Sequence, residues 1–148
     1  MNEKDIQAIL DATTSYFEQY GVEHATVGVP YLKGEKTVLL DYTGIIGISG
    51  NRKGVIYITT TKKMLEELIR TVSGIQNFGN TEIIDMSGEL ANTISGNIQK
   101  VFGSHFMISA PSVIEGKPNN IKIHLTNPTY IIPVTWKNEE FFITISIE

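Results

Sequence analysis

The residues best suited to chemistry lie in one run, Asp85-Met-Ser-Gly-Glu89-Leu-Ala-Asn92. At about 100° per residue, a helix sets Asp85, Glu89 and Asn92 along one stripe. A carboxamide orients a water molecule through donor and acceptor together, while a carboxylate holds a cation or a lysine on a partner. Neither is a strong nucleophile. The pair suits phosphoryl transfer, in which placing the attacking water and neutralising charge do most of the work. From spacing alone, a Glu and an Asn on the solvated face of a helix are also ordinary, so a docking face without hydrolysis stands as the alternative reading.

Relative to Leu90, the residues Asp85, Glu89, Asn92, Gly96 and Gln99 fall within an arc of roughly 80° on the far side. Gly88 and Ser95 border it. Each helical glycine costs about 1 kcal/mol against alanine, which a purely structural surface helix has no reason to carry. The pattern predicts a flat face, with protruding acid and amide, onto which another molecule closes. The opposite face carries Ile83, Leu90, Ile94, Ile98 and Val101, the spacing of a helix on a sheet.

Other elements must position that helix. Residues 4–20 place Ile6, Ile9, Leu10, Thr13 and Phe17 on one side, and Gly21 stands where a helix stops. Ala25 to Leu32, Thr37 to Ile48 and Gly54 to Thr60 are rich in β-branched and aromatic residues and read as strands, the last two as a hairpin. Pro30 predicts an edge position or a late start for the first. Thr61 to Val72 reads as a second helix ending before Gly74. Asn80 or Thr81 is the expected cap of the third, which runs to about Phe102 or Gly103, with Glu82 and Asp85 in or near its first turn. Short strands follow near Ser112–Glu115, Ile121–Thr126, Tyr130–Trp136 and Glu139–Ile147, with turns at Asn119-Asn120, Asn127-Pro128 and Lys137-Asn138. This order predicts an α+β fold, long helices layered on a mixed, mostly antiparallel sheet, with a hint of two duplicated halves.

The 148 residues, 41% hydrophobic and 19% charged, suffice for one core and predict a single domain. A net charge of -4 with only 12 basic residues argues against nucleic acid. Without cysteine there is neither disulfide nor thiol chemistry. No signal-like N-terminus and no run near 18 or so apolar residues are present, which predicts a cytoplasmic protein outside the membrane. His24, His105 and His124 lack ligand spacing, so no metal site is expected. No phosphate loop exists, and Gly44, Gly47 and Gly50 suit a twisted strand and its turn. Asn97 is expected to tie down neighbouring backbone, and Trp136 to sit in the core or an interface.

Asp85-x3-Glu89-x2-Asn92 followed by Ile94-Ser95-Gly96-Asn97 resembles the signature of the CheC/CheX/FliY family of chemotaxis phosphatases. Tyr42 to Gly50, Gly54 to Ile58, Ile108 to Gly116 and Ile132-Pro133-Val134 fall in the family's order. CheC-like members carry a second Glu-x2-Asn on the first helix, where this chain has Asp11-Ala12-Thr13-Thr14, and FliY-like members are longer. The resemblance therefore implies a CheX type with one site. Pro111 is the nearest match to a downstream family proline, about a helical turn sooner than in CheC-like sequences.

The resemblance implies hydrolysis of the aspartyl phosphate of CheY-type response regulators. Asn92 would orient the water, Glu89 would grip the regulator's active-site lysine, and Asp85 would buttress the site or contact the regulator. Mg²⁺ would come with the regulator, and this chain would bind no cofactor. It also implies a homodimer built by sheet pairing, for which Tyr130–Trp136 or Phe141–Ile147 is the expected edge. The competing readings are a non-catalytic signalling module that docks through the same helix and a flagellar-switch component.

Overall fold

A capping box starts the first helix, α1 (Glu3–Tyr20): the Asp5 N–H donates to Asn2 Oδ1 at 2.9 Å and the Asn2 N–H to Asp5 Oδ2 at 3.0 Å. The computed structural model describes residues 1–34, 38–117 and 128–148. The expected strand Ile121–Thr126, the turns at Asn119-Asn120 and Asn127, the strand start at Thr37, and His124 lie outside the described residues.

After α1 come β1 (Thr26–Val27), β2 (Tyr31–Leu32), β3 (Tyr42–Gly50) and β4 (Gly54–Thr60). The run expected as one strand from Ala25 is thus split around Gly28-Val29-Pro30. β3 begins only at Tyr42, because the Leu40 N–H donates to Thr59 Oγ1 (2.7 Å) instead of joining the ladder. Helix α2 (Lys62–Ser73) is capped by Thr61, whose hydroxyl accepts from the Met64 N–H, and is closed by Gly74 at φ 70°. Helix α3 (Asn80–Phe102) starts at Gly79, not at Asn80 or Thr81. The Glu82 carboxylate reaches back to the Gly79 N–H at 2.8 Å, and the Asn80 side chain is engaged elsewhere. Then follow β5 (Phe106–Ile108), β6 (Ser112–Glu115), β7 (Thr129–Trp136) and β8 (Glu139–Ile147). The three-residue β5 is too short to show a period in sequence. Lys137 and Asn138, at φ 47° and 62°, make the tight turn between β7 and β8.

Among the described residues these make an α+β fold of three helices and an eight-stranded sheet that runs β1-β7-β8-β4-β3-β5, with β2 also on β7 and β6 also on β3. Every described pairing is antiparallel rather than mixed. Alternate residues Ile46, Ile48, Ile56, Ile58, Ile132, Val134, Trp136, Ile143, Ile145 and Ile147 enter the core with Leu90, Ile94 and Ile98 of α3. Trp136 is a core residue, tilted against Phe17 and donating to the Glu23 carbonyl at 3.2 Å. Neither expected dimer edge is an edge: β8 lies between β7 and β4, and β7 between β8 and the β1/β2 pair.

The hint of duplication has a topological form. Exchanging α1, β1, β2, β3, β4 with α3, β5, β6, β7, β8 leaves the strand order unchanged, with β4 against β8 at the centre. Even the breaks in the two edges agree: residues 28–30 face Ile132 and Pro133, and residues 109–111 face Ile46 and Gly47, three residues against two. Each is a bulge, and each has proline in third place.

Candidate functional site

Small residues bring α3 down onto β3. A Cβ on Gly44 would lie 2.7 Å from Ala91 Cβ and 2.9 Å from the Ser87 carbonyl oxygen, so only glycine fits there. This seats one face of α3 in the core and turns Asp85, Glu89 and Asn92 outward, all three exposed. Beside them the chain breaks between β5 and β6, and Ala110, Pro111 and Val113 rise as the opposite wall. The two walls enclose an open cleft of about 740 Å³ into which Asp85, Glu89 and Asn92 face.

On the other flank of the helix a smaller hollow of about 150 Å³ separates Asp85 and Glu89 from Ile69, Ser73 and Ile75. The acids thus stand on a ridge between two depressions, a shape suited to entering a concave partner. Tyr16 of α1 lies within electrostatic reach of this ridge. Burial raises the pKa of its phenol, and the charges of Glu89 and Tyr20 add to the effect, so it stays protonated.

The start of α3 is pinned to both neighbours: the Tyr42 hydroxyl donates to Asn80 Oδ1, and Asn80 Nδ2 donates to Glu115 Oε2 at 3.2 Å. Burial, with Glu115 and Asp41 nearby, raises the Tyr42 pKa and keeps that phenol a donor. This link between the cleft's two walls carried no sequence signal, since a Tyr, an Asn and a Glu so far apart in sequence have no spacing to read.

Several residues on or beside the expected stripe have other tasks. Gly88 is buried and approaches the facing wall, where an added Cβ would lie 3.4 Å from Val113 and 3.6 Å from Pro111; it lines the cleft but is no flat outer face. Ser95 is fully buried, so it borders the core and not the docking face. Gln99 donates to the Phe106 carbonyl at 2.8 Å and holds β5 to the helix. Gly96 is half-buried with nothing within 4 Å of an added Cβ, so packing does not require a glycine there. Asn97 donates to the Ala12 carbonyl of α1 at 3.4 Å, backbone of a neighbouring helix. Val101, expected on the core face, is exposed, because in the last turn Phe102 takes over, stacked on Phe106 at 4.9 Å.

Among the described residues no group of three His, Asp or Glu could hold a metal ion. Among them also no helix is long and apolar enough to cross a membrane.

No curated protein matches the chain. Solved structures do. A CheC-like superfamily protein from Shewanella sp. PV-4 superposes with a TM-score of 0.87 at 25% identity, over 100% of this chain and 99% of that one. The chemotaxis protein CheX of Desulfovibrio desulfuricans gives 0.85 at 27% identity, over 98% and 99%. A CheX from Borrelia burgdorferi, crystallised in a complex with CheY, BeF3 and Mg²⁺, shares the fold with a TM-score of 0.78 at 24% identity over 97% of both chains. The family model described as chemotaxis phosphatase CheX matches residues 42–135, a span that holds the cleft and all three residues of the stripe. The chain belongs to the CheX family of chemotaxis phosphatases.

Proposed function

We propose that this single-domain protein hydrolyses the aspartyl phosphate of a CheY-type response regulator by inserting Glu89 and Asn92 into the regulator's site. The observation that carries the reading is the exposed acid and amide, three residues apart on a ridge of α3 at the mouth of a cleft, in a chain of a phosphatase family. The Borrelia relative's complex with CheY supplies the class of partner. Asn92 accepts from and donates to the attacking water and lines it up behind the phosphorus. Glu89 pairs with the regulator's active-site lysine, and Asp85, one turn before it, buttresses the site or contacts the regulator. Mg²⁺ comes with the regulator and neutralises the phosphoryl oxygens; this chain contributes no ligand to it. The α1 segment Asp11-Ala12-Thr13-Thr14 lacks the Glu and Asn, which leaves one site per chain.

The protein acts in the cytoplasm with its regulator, and as a homodimer. Of the two described sheet edges, β1–β2 and β5–β6, the first is the better candidate for pairing, since it exposes Val29 (83%), Leu32 (62%) and Tyr31 (44%).

The test follows phosphate loss from a phosphorylated regulator with and without the protein. Acceleration by the wild type, lost with Glu89→Ala through weaker docking, is the expected result. Docking without any acceleration would instead identify a binding module that uses the same helix.

A further inference from the structure

The two bulges that break the sheet edges differ in how they close. In the first, Gly28 donates its N–H to the Pro133 carbonyl at 2.8 Å, and an added Cβ at Gly28 would lie 2.8 Å from Pro133 Cγ. Pro133 has no N–H to satisfy. In the second, Ser109 donates its N–H to the Gly47 carbonyl at 2.9 Å in the same way, but Gly47 does have an N–H pointing at the break. The Ser109 hydroxyl accepts from it at 2.8 Å and donates its own O–H to the Ala110 carbonyl at 2.9 Å. One side chain thus replaces the missing ladder bond and fixes the orientation of the next peptide. That peptide leads into Pro111, and Ala110-Pro111 is the wall that faces Gly88, Glu89 and Asn92 across the cleft.

We infer that Ser109 is a positioning residue of the phosphatase reaction, holding the Ala110-Pro111 lip where a docked regulator meets it together with Glu89 and Asn92. The inference rests on the reading of the site given above. Ser109 touches neither substrate nor the reacting atoms, and it is exposed, so water can take over its bonds without loss of the fold. Its removal therefore loosens the lip rather than unfolding the chain.

The experiment compares steady-state hydrolysis of a phosphorylated CheY-type regulator by the wild type, Ser109→Ala and Ser109→Thr, with exchange of the Gly47 amide as an independent readout. Ser109→Ala is expected to raise KM by about three- to tenfold, the worth of one hydrogen bond, with kcat unchanged. Gly47 should exchange faster in the same variant. Ser109→Thr keeps the hydroxyl and should return both readouts to wild type. An active wild type with an unchanged KM in Ser109→Ala overturns this inference and leaves the site's reading intact, and so does a loss that Ser109→Thr fails to restore. A wild type that never speeds phosphate loss takes down both.

Discussion

Asp5 shows how one side chain serves two interactions. It closes the capping box of α1 and meets Arg52 of the β3–β4 turn at 3.2 Å, while that guanidinium also donates to the Glu148 carbonyl and lies over Phe102. Burial alone would raise the Asp5 pKa, but the bond to Asn2 backbone and the Arg52 charge outweigh it and hold the carboxyl below its ordinary value of 3.8. A depressed carboxylate adds stability that is present above its unfolded pKa and is lost as pH falls through the folded one. Asp5→Asn, which keeps an acceptor for the cap, should cost up to about 1 kcal/mol near neutral pH. Melting curves should show the gap from wild type closing as pH falls below the ordinary carboxyl value of 3.8 and through the lower folded one; a gap that stays constant would remove the ionised pair from the account. Gly96 gives a second test, since nothing surrounds its missing Cβ. Gly96→Ala should stabilise the helix by about 1 kcal/mol. If regulator docking weakens in that more stable variant, the glycine serves the partner; unchanged docking would show that it does not.

The seat of α3 on β3 is the element-scale determinant of the site, and Gly44 is its tightest point. Gly44→Ala puts a methyl against Ala91 and Ser87. It should cost about 1–3 kcal/mol and lower phosphatase activity by shifting the helix that carries Glu89 and Asn92; a melting temperature and activity equal to wild type would contradict this packing argument. Elements were legible in sequence wherever a face repeated over several turns. Leu90, Ile94 and Ile98 announced α3, and Lys137-Asn138 announced the β7–β8 turn. What sequence could not show depends on distant partners. Glu82 caps its own helix from the third position, leaving Asn80 free for Tyr42 and Glu115. Ser95 lies close in angle to Asn92, yet it is drawn into the core, while Gly88 meets Pro111 from the bulge between β5 and β6, which has no period to read. Val101 escapes the core because the next residue stacks on Phe106.

At the scale of the whole molecule, the two halves share one topology but differ in their helices: α3 carries Glu89-x2-Asn92 where α1 has Asp11-Ala12-Thr13-Thr14. The exchange symmetry also explains why the expected dimer edges failed: the long strands β3, β4, β7 and β8 make the middle of the sheet, and the short split strands are left outside. Pairing through β1–β2 predicts that Val29→Lys with Leu32→Lys yields monomers by sedimentation while wild type sediments as a dimer; an unchanged dimer would place the interface elsewhere. The central claim, that Asn92 orients water after Glu89 and the cleft have docked the regulator, separates binding from turnover. It is tested most directly by Asn92→Ala, with regulator binding and phosphate loss measured on the same sample. Binding close to wild type with acceleration reduced about 100-fold is the predicted result, and acceleration as fast as wild type would contradict the account.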